Sequence, residues 1–453
     1  MDENLLILKN RNRTIIRLLF LIVPLLVLLL IFNKASFSIA LGISFVALFY
    51  AFFKEHNWVL LVLAVPSLSF GQVINIPISA SWVYEARLAE IFLLLSAAIY
   101  ILDIFLNKKE EKLKIDSLSF LLAIHIILAL ISIIYIIDFR AFIFGLKIIA
   151  YSFLSYFLAL NLLDDKRKIL WFLYSISIGA VILSAQIFLK FYQMGFSSQF
   201  FFERHLISIP IGPIATTAAI LAFLSPIILS FYFYLADIER NKPLVFVSFF
   251  FSFIAVFLTL GKGAIISLFM GLIFLFFKMK NKRMSFFLFF LWFMALVYLM
   301  FNQFFVGLFE RFKITFIDKN TSFRITEYET GWILINNYLY TGVGAGQQLI
   351  HFKKMLNLEV GQQVNNFFLQ SIIDFGILGL ALMLSLFANV YFKVKKMFRT
   401  DNRNSVLVFG FVAAFICAFF NGMVEVTIYA LPYAIVFWSV VGVFVNLEKV
   451  KLN

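Results

Sequence analysis

Three cations stand in settings that suit an anion: Arg204, Lys262 and Arg324. Lys262 lies in F-L-T-L-G-K-G-A-I-I-S-L, where two apolar runs join almost without a loop. Gly261 and Gly263 allow tight backbone geometry and close ligand approach. The helix that starts there offers free backbone N–H groups. Arg324 falls early in a helix expected from about Ser322 to Leu339, one turn from Glu327 and Tyr328. A guanidinium so placed can hold phosphate oxygens by two parallel hydrogen bonds. Arg204 stands in F-F-E-R-H-L-I-S-I-P-I-G-P, between Glu203 and His205. Each has a plainer reading: a two-span turn for Lys262, a surface pair with Glu327 for Arg324, and an interfacial amphipathic segment around Arg204. Together, three separated cations around one cavity suit a lipid-linked diphosphate. Breaking a sugar–phosphate bond leaves negative charge on the diphosphate, and Lys and Arg can stabilise it.

The elements that must position these residues are membrane helices. The chain has 453 residues, 63% apolar and 14% charged, with a mean hydropathy of +0.99. Soluble domains are near half apolar and a quarter charged. Apolar runs fall at about 15–32, 35–53, 57–74, 88–106, 117–137, 141–163, 168–193, 213–238, 243–260, 263–278, 284–305, 366–393, 404–422 and 428–447. The expected fold is thus all-α and polytopic, with 12–14 transmembrane helices. The lower count applies if the short runs 57–74 and 263–278 are re-entrant. Residues 1–453 read as a single membrane domain. Residues 306–365 form its large extracytoplasmic loop, a partly helical lid.

Lys and Arg gather in alternate loops, as at Lys108, Lys109, Lys112 and Lys114, and again at Lys393, Lys395, Lys396 and Arg399. Cytoplasmic loops carry this excess, so both termini are expected in the cytoplasm and the long loop outside. The net charge of +14 is then an orientation signal, and no nucleic-acid partner is expected. Arg87, Arg140, Lys147 and Lys190 also fall at outer boundaries. Snorkelling to lipid headgroups accounts for the last three. Cys417 is the only cysteine, and His56, His125, His205 and His351 are scattered. With no D-x-D motif on the outer side, neither a metal nor another cofactor is expected.

The motifs resemble those of the O-antigen ligase and Wzy-type O-antigen polymerase superfamily. L-T-L-G-K-G-A-I-I-S-L is similar to its T-x-S-R-G-A segment, with Lys262 in place of arginine. Arg324, Trp332 and T-G-V-G-A-G resemble its R…W…G-x-G-x-G stretch. V-N-N-F-F-L-Q-S-I-I-D-F-G-I-L-G resembles H-N-x-x-L-Q-x-x-x-x-x-G-x-x-G, and R-H-L-I-S-I-P-I-G-P-I-A is a looser match to an earlier arginine segment. The resemblance implies a GT-C-like, metal-independent, inverting glycosyltransferase of the bacterial inner membrane, with its site on the periplasmic face. Its donor would be an undecaprenyl-diphosphate-linked oligosaccharide. Its other partners would be a glycan acceptor, membrane lipids and a chain-length regulator protein.

Within that resemblance Arg324, Lys262 and Arg204 would stabilise the leaving diphosphate. Asn365, Asn366, Arg87 and His205 would bind substrate. Asn365 stands where ligases have histidine and cannot act as a general base. This favours a polymerase over a ligase that transfers the glycan to lipid A core. His351, Glu327, Glu203 or His205 could supply a base, although His351 also reads as a solvated loop histidine. Asn366 should cap the next helix, and Gly376 and Gly379 should permit close helix packing. Glu425 and Asp374, near outer span ends, are further candidates to line the cavity. A flippase or transporter of lipid-linked sugars is the reading from another class. The one-sided clustering of polar groups weighs against it.

Overall fold

The computed structural model describes residues 49–50, 52–53, 55–79, 82–107, 113–194, 207–237, 242–279, 319–358, 361–399, 405–448 and 450. Arg204 and His205, with Glu203, lie outside the described residues, as do the expected spans 15–32 and 284–305.

Among the described residues the chain is helical except for two small hairpins. In order the elements are α1 (Trp58–Ser67), β1 (Gln72–Ser79), β2 (Trp82–Arg87), α2 (Leu88–Asn107), α3 (Ser117–Ile131), α4 (Phe139–Leu162) and α5 (Lys166–Gln193). Then come β3 (Ser208–Ile209), β4 (Gly212–Pro213), α6 (Ile214–Asp237), α7 (Pro243–Leu258), α8 (Lys262–Lys278), α9 (Lys319–Asn337) and α10 (Gln348–Met355). The last are α11 (Phe367–Arg399), α12 (Ser405–Gly422) and α13 (Leu431–Leu447). Six helices are long and apolar enough to cross a membrane, and four shorter ones are also apolar. The chain is an all-α polytopic membrane protein.

Local chemistry sets several helix starts. Asp116, Asp138 and Asp165 each precede a helix, and each carboxylate accepts from a backbone N–H of the first turn, at 2.8–3.0 Å. Inside the bundle, serines of α4–α7 return their hydroxyls to carbonyls four residues back, as at Ser152, Ser184, Ser225 and Ser252. The hydroxyl is thereby satisfied where no water is at hand.

The centre of the bundle is α6, 94% buried over its membrane window, with α5, α7, α8 and α12 packed around it. On another side α13 packs along α4, and every residue of α13 is buried. Asn446 near the end of α13 donates to three carbonyls at the end of α4, those of Ala159, Leu160 and Leu163.

Two expected spans differ from their sequence reading. The run 57–74 is a ten-residue helix and a short 3-10 turn, after which Gln72 opens a hairpin. The run 366–393 is broken: Phe375 and Gly376 leave helical geometry, with Gly376 at φ 63°. Gly376 therefore does more than allow close packing. It turns the chain, in a conformation that disfavours a side chain. A short entry helix, residues 367–374, is set apart from the longer 377–399.

Candidate functional site

One end of the bundle gathers the loops that the charge pattern assigns to the outer face. It holds the β1–β2 hairpin, the starts of α4, α6 and α8, helix α9, the entry helix and the turn after α12.

The turn Asn421–Val426 is the meeting point. It is closed by the amides of Val424 and Glu425, which donate to the carbonyl of Asn421 at 3.1 and 2.8 Å. Arg324, on α9, donates from Nη1 to the carbonyl of Val424 at 3.1 Å and from Nη2 to Glu425 Oε1 at 3.1 Å. The expected surface pair with Glu327 is replaced by this longer-range one. Asn366 donates to the carbonyl of Met423 at 3.1 Å, and its Oδ1 caps the entry helix by accepting from the amides of Phe368 and Leu369.

Lys262 arrives at the same turn. It opens α8 after Gly261, with no side chain capping the helix start. The preceding Leu260 is buried in a left-handed conformation, φ 52°, which costs a leucine roughly 1–2 kcal/mol. A Cβ at Gly263 would lie 2.8 Å from Val424 Cγ2 and 3.6 Å from Glu425 Cγ, so glycine is what lets α8 come this close.

Glu327 and Asn365 form a second pair. The Asn365 amide donates to both carboxylate oxygens of Glu327, at 2.9 and 3.3 Å. Tyr328 donates to the Asn365 carbonyl at 3.3 Å. Glu327 is fully buried. Burial pushes its carboxyl above the ordinary range, against the opposing pull of the Asn365 amide and the Arg324 guanidinium.

His351 is not brought to this cluster. Its ring packs edge-on against Tyr338, 5.6 Å away, roughly 20 Å along α9 from Arg324 at 1.5 Å per residue. Burial and the nearby Lys354 push its pKa down.

Beside the Glu425 turn lies a cavity of about 450 Å³. Arg87, Arg140 and Lys147 line it, with Glu85, Gln363 and Glu425. Arg140 and Lys147 thus face a cavity rather than simply reaching for lipid headgroups. Lys147 pairs with the buried Glu90 at 2.8 Å and also donates to the carbonyl of Glu85 at 3.0 Å. Arg87 donates to the carbonyl of Ile211 at 2.6 Å, which ties the two hairpins together. Arg140 and Lys147 were within reach of the sequence argument as basic residues on the wrong side of the membrane. What sequence lacked was Glu90, a helix away.

The glycine-rich stretch after α9 supports the site without entering it. The amides of Val343 and Gly344 donate to the carbonyls of Ile373 and Asp374 at 2.8 and 2.9 Å, capping the entry helix where it breaks. Gln347 then pins the stretch to the start of α4: its Oε1 accepts from Ile137 and Asp138, and its Nε2 donates to the Asp138 carbonyl. At Gly346, φ 70°, a Cβ would overlap the carbonyl of Ala141. Asp374, expected near the cavity, is buried and held by Gln370 at 2.7 Å.

The same stretch of chain carries a family signature. Residues 247–384 match the model of the O-Antigen ligase family. The match supports the O-antigen ligase and polymerase superfamily, whose members are glycosyltransferase-like membrane enzymes acting on lipid-linked glycans. It supports a function of this type in polysaccharide assembly. No curated protein matches the chain. Lys262, Arg324, Glu327, His351, Asn365 and Asn366 fall within the matched residues, whereas Arg87, Arg140, Lys147 and Glu425 lie outside them.

Proposed function

We propose that the protein polymerises undecaprenyl-diphosphate-linked glycan repeat units on the extracytoplasmic face of the bacterial inner membrane. The transfer is inverting and independent of metal. A hydroxyl of the acceptor sugar attacks the anomeric carbon of the donor as the bond from that carbon to the phosphate oxygen breaks. The electron pair leaves with the diphosphate.

The observation that carries this reading is the setting of Arg324. It is fixed by a backbone carbonyl and shares Glu425 with a cavity lined by Arg87, Arg140 and Lys147. Cations held in advance where charge develops act without reorganisation at the moment of reaction. Lys262, at the uncapped start of α8, is a further cation for the diphosphate, as a point charge rather than a planar fork.

The preference for a polymerase over a ligase rests on Asn365. Its amide is committed to Glu327, and an amide cannot take a proton from an acceptor.

Incubating the purified protein with an undecaprenyl-diphosphate oligosaccharide, followed by sizing of the glycan, tests this. Growth of chains on a lipid-linked acceptor is expected. Transfer to lipid A core alone makes the protein a ligase, and no transfer to either acceptor overturns the reading.

A further inference from the structure

Of the candidate bases, the two among the described residues, His351 and Glu327, are poorly placed for the acceptor's proton. His351 is remote, and Glu327 is buried with both oxygens engaged by Asn365. Two carboxylates line the cavity, Glu85 and Glu425. Glu85, on the hairpin, is engaged by the Gln72 amide. Glu425 has Arg324 as its ion-pair partner and a side chain 25% exposed.

We infer that Glu425 is the acceptor-activating base, and that its ion pair with Arg324 holds it in reserve until the donor diphosphate takes its place. This rests on the glycosyl-transfer reading above. Three features of the turn support it. The Arg324 guanidinium keeps a second anchor on the Val424 carbonyl, so it stays in place when Nη2 changes partner. The Glu425 backbone is fixed by its bond to Asn421, so release needs only side-chain rotation. The carboxylate and an arriving diphosphate are both anions competing for one guanidinium, and they repel each other. Phosphate oxygens match the planar fork at least as well as a single carboxylate oxygen does.

Arrival of the donor thus frees the base. As the acceptor oxygen bonds to the anomeric carbon, its proton passes to Glu425. The bond from carbon to phosphate oxygen breaks, and the diphosphate carries off the electron pair against Arg324. When undecaprenyl diphosphate departs, Glu425 returns its proton to water and pairs with Arg324 again. Nothing is oxidised or reduced.

The test separates donor binding from turnover. Undecaprenyl diphosphate serves as the binding probe, and lipid-linked glycan isolated from the host cell serves as substrate. In E425Q, probe affinity is expected to equal or exceed that of the unaltered protein, because a competing anion is gone. Transfer should fall by about 10²–10⁴-fold, the usual contribution of a positioned base. E425D, which keeps a carboxylate, should recover part of the transfer, and it carries the test if E425Q does not fold. Transfer by E425Q at the unaltered rate overturns the inference. So does parallel loss of probe binding and transfer in both variants, which would make Glu425 a mere support for Arg324. Loss of transfer in E85Q alone assigns the base to Glu85 and also overturns it. Failure of the unaltered protein to bind the probe is a different result, and it sinks the proposed function itself.

Discussion

The two ends of the bundle use the same residue types for different ends. At the end assigned to the cytoplasm, cations meet acids in partly exposed pairs: Lys114 and Lys168 with Asp164, Lys393 with Asp116, and Lys396 with Glu448. At the other end, Arg324 and Lys147 are held by backbone carbonyls as well as acids, beside a cavity. Cavity size does not distinguish them. The inner end has the larger cavity, about 820 Å³, with Leu170, Trp171, Tyr174, Ile178 and Leu244 in its wall beside Asp165, Lys166 and Arg167. That composition suits an acyl chain. The outer cavity brings three cations, Arg87, Arg140 and Lys147, together with two carboxylates, Glu85 and Glu425, where the inner one has only the consecutive Asp165, Lys166 and Arg167. Exposed ion pairs contribute little to stability.

The sharpest way to break this contrast is Arg324→Ala. Glycan elongation is expected to fall by at least about 10²-fold, the effect of losing one fixed donor to developing charge, while the protein accumulates normally in the membrane. Long-chain product from this variant would remove the outer end's claim to chemistry. Next comes Lys147→Ala, which takes from buried Glu90 its lysine partner. Stripping one partner from such a pair costs about 3–5 kcal/mol, so thermal unfolding in detergent should shift strongly downward. An unchanged midpoint would show that the outer pair is as dispensable as the inner ones.

Glu327→Gln probes pH. Burial raises the Glu327 carboxyl above its ordinary value of 4.5. A raised folded-state value means the folded protein binds the proton more tightly. The linked stability is fully present below pH 4.5 and is lost as pH rises through the raised value. The variant should flatten this part of the profile of melting temperature against pH. An unaltered slope would place the titration elsewhere. The smallest effect belongs to Lys396→Ala at the inner end, where the lysine side chain is 67% exposed. Stability is expected to change by less than about 1 kcal/mol, and transfer by nothing measurable. A large loss of transfer there would erase the distinction between the two ends.

Sequence reading reached what local pattern encodes. Among the described residues most apolar runs became helices, Asn366 became a cap, and Arg324 was singled out by its place early in a helix. Three things escaped it, each settled by a partner distant in sequence. Glu425 claims Arg324 because the turn after α12 packs beside α9, although Glu327 is nearer in sequence. Lys147 faces a cavity because Glu90 on α2 and the hairpin backbone draw it there. Gly376 ends a helix because the stretch Gly342–Gly344 receives the carbonyls freed at the break. The apolar run carries through that point despite Asp374, because Ile372, Ile373, Phe375 and Ile377 around it keep the window apolar. The hairpin at 72–87 was hidden for a similar reason. Its first strand continues the apolar character of α1.

Helix α9 is held at both ends. Arg324 fastens one end to the turn after α12, and the glycine stretch fastens the other to the entry helix. Between them the helix acts as an angular gauge. Each added or deleted residue would rotate Arg324 by about 100° relative to the glycine anchor, carrying the guanidinium away from Glu425 without altering a single side chain in the site. The length of the intervening segment is therefore part of the site, beside the Glu327 and Tyr328 that it carries.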